Sequence, residues 1–269
     1  MKKKDINNPH DKFFKAVFSR REEAISFLKN TLPGEIVRKI NTKSIQPANT
    51  SYITKELSES MSDVVYQADF EGFPVKLAFI IEHKSYIPDY PFLQFLLYFV
   101  NCVQEQIKQK KKDEKIQLAL PIIIVVYQGK KQWKVKPIWQ YFGNMPEEIR
   151  RFSASIDYLL VDLTQASFEK IKQTYDSLLL QMALMVMKGV YDIKAFEKSL
   201  QRIFADLPNI LKTEDGFYFF ETTILYLFNQ TDLDHEKIIQ TVNEISKEGG
   251  EKMITTTKRL IEKGRKEGR

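Results

Sequence analysis

Three charged residues in the first third of the chain have the types and the spacing that metal-assisted phosphodiester hydrolysis uses. Asp63 opens one strand-like segment, and Glu82 and Lys84 close the next. If a loop over 71–74 joins the two segments into an antiparallel hairpin, Asp63 lies opposite Glu82. The period of two residues then places Glu82 and Lys84 on one face of the second strand. The pattern predicts two carboxylates and an ammonium group together at one end of the hairpin.

A bound cation would suit this arrangement, because two carboxylates that face each other across a strand pair repel. Mg²⁺ takes one or two protein carboxylates and keeps water ligands for a substrate phosphate. Lys84 would orient the attacking water or help to deprotonate it. The alternative is a strand end held by salt bridges, because a chain with 28% charged residues contains such spacings by chance.

The segments that position these residues have the patterns of strands. Residues 63–70 alternate between apolar and polar side chains, and residues 75–84 form a nearly continuous apolar run of the buried kind. Gly72 and Pro74 mark the reversal between the two segments. His83 falls on the opposite face of its strand from Lys84.

Four blocks, in this order along the first half of the chain, resemble the recombination-promoting nuclease (Rpn) family of PD-(D/E)XK transposases. They are His10-Asp11-Lys12-Phe13-Phe14-Lys15, Ser62-Asp63-Val64-Val65-Tyr66, Ile81-Glu82-His83-Lys84-Ser85 and the run from Leu120 to Gly129. The resemblance implies an α/β fold with a restriction-endonuclease-like (PD-(D/E)XK) core, in which helices flank a mixed sheet. It also implies Mg²⁺-dependent cleavage of DNA, linked to recombination or to mobile elements.

The resemblance also implies roles for individual residues. Asp63 and Glu82 would hold Mg²⁺, or Mn²⁺ as a substitute, with the carbonyl of His83 as a further ligand, and Lys84 would be the catalytic lysine. Many members of the family have Gln where Lys84 stands, so this chain is closer here to the general nuclease pattern. Ser62 stands where the wider superfamily has Pro, which suits the Rpn family.

Supporting residues are expected on two helices. His10, Asp11 and Lys12 open a helix and would close over the active site, as the family match suggests; the alternative is that they are ordinary polar residues of a first turn. Gln94, near the start of an apolar helix, is a candidate for contact with phosphate or water. A solvated position on the polar stripe of that helix is its alternative.

The composition bounds the remaining possibilities. One cysteine excludes an intrachain disulfide and, with three histidines, makes a Cys/His zinc site improbable.

Residues 247–269 carry eight Lys or Arg against four Glu, and Lys2 to Lys4 add three positive charges, so the body of this +6 chain is near neutral. DNA, the expected partner, would therefore need a local basic patch or the basic ends of the chain. No apolar run reaches membrane-spanning length and no signal-peptide core follows Met1, so we expect a soluble, cytoplasmic protein without membrane contact.

We expect three regions along the chain: a nuclease-like domain over 1–165, a helical region over 166–250 and a basic tail over 251–269. Helices are predicted at about 165–188, 192–207, 216–229 and 234–247. The helical region could join copies into a homo-oligomer. The tail could be a short helix for self-association or a basic arm for DNA, and its composition favours disorder.

Two further segments have the composition of DNA-contacting regions, although each has a simpler alternative. Five lysines between residues 108 and 115 are typical of a solvated loop, and could contact DNA. Trp133 and Trp139 flank Lys134 and Lys136, and aromatics among lysines can stack on bases, whereas tryptophans are more often core residues. The rival to the nuclease is a non-catalytic DNA-binding or scaffolding protein that retains the fold.

Overall fold

The computed structural model describes residues 9–48, 64–71, 75–108, 118–230 and 235–266, with backbone only at 75–78, 80, 82 and 260–266. The protein has a mixed α/β fold, which divides into two compact units. We call Phe27–Gln165 the sheet unit. Met1–Ser26 and Ala166–Arg269 together form the helical unit. The first 26 residues therefore group with the C-terminal helices, whereas the sequence placed them in the nuclease-like domain.

The helices follow one another along the chain as short and medium-length segments. They are α1 (Pro9–Phe18), α2 (Arg21–Thr31), α3 (Gly34–Val37), α4 (Pro91–Lys108), α5 (Glu147–Arg150), α6 (Phe168–Thr174), α7 (Leu178–Gly189), α8 (Ile193–Lys198), α9 (Leu200–Phe204), α10 (Leu207–Ile210), α11 (Glu214–Gln230), α12 (His235–Ile245) and α13 (Lys247–Lys266). Within the described ranges, no helix combines the length and the apolar character needed to cross a bilayer.

Five strands form one mixed sheet in the sheet unit. They are β1 (Gln46–Pro47), β2 (Val64–Phe70), β3 (Val75–Lys84), β4 (Ala119–Tyr127) and β5 (Tyr158–Asp162), and their spatial order follows the sequence. β1, β2 and β3 pair antiparallel, and β3, β4 and β5 pair parallel. The sheet thus joins an antiparallel hairpin to two strands that run in the direction of β3.

The register of the β2–β3 hairpin is the one predicted from the loop length. Phe70 pairs with Val75, and the ladder continues without slippage to the pair of Val64 and Ile81. The predicted partner of Glu82, Asp63, lies outside the described residues, as does the loop at 72–74. The register is therefore confirmed up to the position next to the predicted acidic pair.

The crossover from β3 to β4 runs through α4, which covers one face of the sheet. Phe95, Tyr98 and Cys102 of α4 pack against Val65, Val125 and other apolar residues of this face. Because β3 and β4 are parallel, a covering helix is the usual connection between them. Pro91 begins the helix, where its missing N–H costs no hydrogen bond.

Aromatic packing holds α1 in the helical unit. Its buried face consists of Phe13, Phe14, Val17 and Phe18, at helical spacing. The Phe13 ring stacks on Tyr226 of α11 with centroids 4.2 Å apart. These side chains give α1 an apolar face that α11 buries, which explains why the segment belongs to the helical unit.

The C-terminal helices lie where they were predicted, but two of the predicted helices are broken. The helix expected over 192–207 is divided into α8 and α9, and α10 begins at Leu207. The single helix expected over 165–188 is divided into α6 and α7, and Ser177 begins the second by accepting a hydrogen bond from the N–H of Leu180 at 3.3 Å. A serine at this position competes with the helix interior for backbone hydrogen bonds and favours a new N-terminus.

The tail departs from the expectation of disorder, because α13 is helical as far as Lys266. Met253 is fully buried, and Thr256, three residues later on the same face, is 1% exposed. Lys252 and Arg259 both bind the carboxylate of Glu221 on α11, at 3.0 and 2.9 Å. Only a narrow stripe of this segment is buried, and many of its other residues are charged. Its average composition therefore favoured disorder.

Candidate active site at the carboxyl ends of the parallel strands

The three parallel strands end at one edge of the sheet. Lys84 at the end of β3 pairs with Tyr127 of β4, which pairs with Asp162 of β5. Crevices outside the carboxyl ends of parallel strands are the usual ligand sites of such sheets. Glu82 and Lys84 are therefore placed by the fold at the edge where chemistry is expected.

Lys84 is buried, with 9% of its surface exposed. Of the lysines and arginines whose side chains the structure describes, it alone falls in the buried class. Removing an ammonium group from water costs several kcal/mol unless other groups compensate. Positions 82 and 84 share the face of their register partners Val125 and Tyr127, which is the face covered by α4. The site thus has a desolvated cation beside the position of Glu82.

His83 lies on the other side of the same strand. Its side chain is 3% exposed, on the face that also buries Phe79 and Ile81. The imidazole is therefore on the face opposite Lys84. The metal contact predicted for His83 involves its main-chain carbonyl, and it remains a prediction.

Gln128 is a candidate that the sequence reasoning did not select. Its side chain is 1% exposed, and its backbone N–H donates to the carbonyl oxygen of Lys84 at 2.8 Å. The residue directly after a buried strand lies at the ligand-binding edge, so the polar Gln128 after the apolar run of β4 was the available signal. The ring of Tyr127 lies close to Gly129, and a side chain at residue 129 would collide with that ring.

Gln94 lies in the first turn of α4, and its side-chain amide donates to the hydroxyl of Tyr98 one turn later. Tyr98 packs with the residues that cover the face of Val125. Gln94 is therefore on the helix that covers the face of positions 82 and 84, and it is half-buried. Its contact with phosphate or water stays a prediction.

His10, Asp11 and Lys12 belong to the helical unit, whereas Glu82, Lys84 and Gln94 belong to the sheet unit. The Nδ1 atom of His10 lies 2.7 Å from the hydroxyl of Tyr226, and its ring stacks on Tyr191 with centroids 5.7 Å apart. Asp11 is half-buried and Lys12 is exposed. The structure gives His10 a packed position among tyrosines, and the supporting role of all three residues remains a prediction.

The acidic half of the predicted metal site lies outside the described side chains. Asp63 is not among the described residues, and Glu82 is described by its backbone alone. The remaining described side chains contain no cluster of three His, Cys, Asp or Glu residues that could hold a metal ion. Carboxylate and carbonyl oxygens, the donors that the prediction assigns to Asp63, Glu82 and His83, are the ones that Mg²⁺ prefers.

Two other residues with reactive side chains, Asp162 and Cys102, have structural roles in the sheet unit. Asp162 accepts hydrogen bonds from the backbone N–H groups of Trp133 and Thr164, at 3.0 and 2.9 Å, so its carboxylate fixes the loops beside β5. Cys102 is buried in the α4 cluster, and burial raises the pKa of its thiol to about 11. A thiol with this pKa is a poor nucleophile at neutral pH, as expected for a core cysteine.

A family model described as "Putative transposase, YhgA-like" matches residues 8–217. The chain belongs to this family. The matched range includes β1 to β5 and ends in the first turn of α11, so it covers the sheet and the helices α6 to α10. No solved structure matches the chain.

Relatives from Escherichia coli strain K12 include two proteins named as nucleases. The chain is 27% identical over 166 residues to recombination-promoting nuclease RpnC, and 26% identical over 183 residues to recombination-promoting nuclease RpnA. These matches cover 61% and 68% of this chain, but only 54% and 61% of the two relatives. A third relative, inactive recombination-promoting nuclease-like protein RpnE, is 23% identical over 270 residues, with 100% of this chain and 86% of RpnE covered.

Proposed function

We propose that this protein is a metal-dependent DNA endonuclease that hydrolyses phosphodiester bonds, linked to DNA recombination or to mobile elements. The observation that carries the proposal is the buried Lys84 at the carboxyl edge of the sheet, two residues after Glu82. The hairpin register supports it, because one further step of the ladder pairs Glu82 with the predicted position of Asp63. Relatives named as recombination-promoting nucleases support the same activity.

The topology of the sheet is compatible with a restriction-endonuclease-like (PD-(D/E)XK) core. An antiparallel hairpin is followed by a helical crossover to parallel strands, so that the Glu82-x-Lys84 triplet lies at the end of a central strand. The same crossover helix carries Gln94, which supports its proposed contact with phosphate or water. His10, Asp11 and Lys12 are proposed as supporting residues from the first helix.

Asp63, Glu82 and the carbonyl of His83 are the proposed ligands of Mg²⁺, with Mn²⁺ as a substitute. When bound, the ion would lower the pKa of a water molecule and polarise the scissile phosphate. Lys84 contributes a fixed positive charge in a desolvated position, where it stabilises the negative charge that develops on the phosphate oxygens. The same ammonium group orients the attacking water.

A non-catalytic DNA-binding or scaffolding protein is the second candidate. One specific observation favours it: RpnE, which is named inactive, is the relative whose match covers the whole of this chain. A family fold can remain when the activity is lost. Such a protein would have no need for Asp63, Glu82 and Lys84 together, and this chain has all three.

Nicking of supercoiled plasmid by the purified protein distinguishes the two candidates. We expect cleavage in Mg²⁺ or Mn²⁺ and none in EDTA, and we expect Asp63→Asn and Glu82→Gln to abolish it. Glu71→Gln is the matched control, because Glu71 is an exposed carboxylate next to the same hairpin. If the wild-type protein retards DNA in a gel but never cuts it, the non-catalytic candidate is correct.

Thermal unfolding tests the metal site without relying on activity. A cation that binds only the folded state raises the melting temperature, by an amount that grows with its concentration. We expect Mg²⁺ to stabilise the wild-type protein and the Glu71→Gln variant, but not Asp63→Asn. Equal stabilisation of all three proteins would place the cation at some other site.

Two further features belong to the same proposal. The protein is proposed to act in the cytoplasm, and the helical region over 166–250 is the proposed contact between copies of a homo-oligomer. Light scattering coupled to size-exclusion chromatography measures the mass of the assembly. A mass of 31.6 kDa at all concentrations would correspond to a single chain and would exclude the oligomer.

A further inference from the structure

The connection between β4 and β5 forms a pocket with a volume of about 500 Å³. Its walls are residues 135–139, which enter a 3₁₀ helix, and residues 150, 151 and 153–158, between the end of α5 and the start of β5. All of these residues belong to the sheet unit. The pocket has no part in the proposed cleavage site, so its chemistry requires a separate explanation.

Positive charge predominates in the pocket lining. Lys136, Arg150 and Arg151 line the pocket, against the single carboxylate of Asp157. In the part of the chain that the structure describes, none of these three cations forms an ion pair with a carboxylate. The body of the chain is near neutral, so this cluster is a local basic patch of the kind that DNA binding would need.

Arg150 is held in a fixed orientation. Its Nε–H donates to the carbonyl oxygen of Met145 at 3.1 Å, and its guanidinium lies 4.2 Å from the centroid of the Trp139 ring. Neither contact uses the two Nη groups, which have no acceptor among the described residues. A planar guanidinium fixed in this way presents parallel N–H donors, the arrangement that binds phosphate oxygens in pairs.

Tyr158 forms part of the wall of the same pocket. Its ring packs on Phe95 with centroids 4.6 Å apart, and its hydroxyl oxygen is buried inside the protein. Burial raises the pKa of this hydroxyl to about 12, so it keeps its proton at neutral pH. Because the hydroxyl is buried, the side-chain charges that a ligand in the pocket would meet are those of Lys136, Arg150, Arg151 and Asp157.

The pocket lies some distance from the cleavage site along the sheet. Tyr158 begins β5, whereas Lys84 aligns with Asp162 at the other end of that strand. Four residues along the strand and two strand spacings across the sheet give a separation of roughly 16 Å between the two positions. A separation of this size is spanned by a few steps of a DNA strand, which rises about 3.4 Å per step along the helix axis.

We propose that the pocket of Lys136, Arg150 and Arg151 binds a backbone phosphate of the DNA, away from the phosphodiester that is cut. The identity of the ligand rests on the proposed function, but binding at the pocket needs neither the metal nor cleavage. The pocket would thereby hold the duplex in place while the carboxyl edge of the sheet acts on it.

Fluorescence anisotropy of a labelled DNA duplex, in EDTA to prevent cleavage, measures this binding in the full chain. The double variant Arg150→Gln, Arg151→Gln should bind about tenfold more weakly, and the slope of log K against log salt should fall by about 2 if two phosphate contacts are lost. Arg151→Gln alone leaves Arg150 on Trp139, and should weaken binding even if the double variant folds poorly.

Lys130→Gln, Lys131→Gln is the matched control, because it removes two exposed charges from the same unit outside the pocket. An equal loss of affinity in this control would mean that the pocket variants weaken binding only by lowering the net positive charge, and it would overturn the proposal. Unchanged DNA binding by the pocket variants would also overturn it. A pocket that responds only to inorganic phosphate, measured as thermal stabilisation lost in the double variant, would also overturn it. If the wild type binds through the pocket but cuts no plasmid, the endonuclease proposal fails and this one stands.

Discussion

Gln106 and Ala119 exchange two hydrogen bonds through the side-chain amide of the glutamine. The N–H of Ala119 donates to Oε1 at 2.6 Å, and Nε2 donates to the carbonyl oxygen of Ala119 at 3.1 Å. Gln106 lies in the last turn of α4 and Ala119 is the first residue of β4. The side chain thus takes the place of a neighbouring strand and fixes the end of the helix to the beginning of the strand.

Replacing Gln106 with Leu should lower the free energy of unfolding by roughly 2–4 kcal/mol. The reason is that a buried donor and a buried acceptor lose their partners at about 1–3 kcal/mol each, partly offset by the apolar side chain. Urea unfolding measures the change. Gln104→Leu on the exposed face of the same helix is the control and should change stability by less than about 0.5 kcal/mol. Equal effects in both variants would contradict a specific role for Gln106.

The raised pKa of Cys102 predicts that the protein loses stability at alkaline pH. Its pKa rises from 9.0 to about 11 on folding, so the folded state binds the proton more tightly. This contribution is fully present below pH 9 and is lost as the pH rises towards 11. Between pH 8 and pH 10 the wild type should lose about 1 kcal/mol more than Cys102→Ala.

Urea unfolding of both proteins at the two pH values isolates the thiol, because lysines and tyrosines that titrate in the same range are common to both. Parallel pH dependences would mean that Cys102 has an ordinary pKa. Slow alkylation of the folded wild type by iodoacetamide, compared with the unfolded chain, provides independent support.

Lys84→Met should abolish DNA cleavage and leave the melting temperature within a few degrees of the wild type. The cost of burying an ammonium group offsets much of what its contacts contribute, so an apolar side chain of similar length is tolerated. Lys130→Met, at an exposed position, should cut plasmid normally. A collapse in the melting temperature of Lys84→Met would instead assign the lysine a structural role.

Met253→Ala should destabilise the protein by about 2–4 kcal/mol, because Met253 is fully buried and truncation leaves a cavity. Ile254, its neighbour on α13, is 39% exposed. Ile254→Ala should therefore cost less than about 1 kcal/mol, mainly through the smaller apolar area that it loses. Differential scanning calorimetry compares the two variants, and similar melting temperatures would show that α13 packs weakly.

The hairpin could be predicted from the sequence because its determinants are local. Gly72 and Pro74 limit the loop, and only one register then keeps the alternation of β2 aligned with the apolar run of β3. The placement of Glu82 and Lys84 at a strand end followed from the same count. Local pattern was sufficient here since each strand is adjacent in sequence to its partner.

Features that depend on distant packing could not be predicted in this way. His10 meets Tyr226 over a separation of 216 residues, and nothing in the N-terminal pattern identifies that partner. Lys84 is 9% exposed, and its strand position alone did not reveal this burial, because exposure depends on what packs against the strand. In α13, the buried stripe of Met253 and Thr256 is too narrow to outweigh the charged residues in an average over the segment.

The division of the chain has a consequence for the order in which the protein folds during synthesis. The sheet unit is one continuous segment, whereas the helical unit is made from the two ends of the chain. On the ribosome the sheet can form as soon as residue 165 has emerged. The phenylalanines of α1, in contrast, cannot be buried against α11 until α11 has been synthesised. Until then that aromatic face stays exposed, and a chain interrupted before α11 would be prone to aggregate through it.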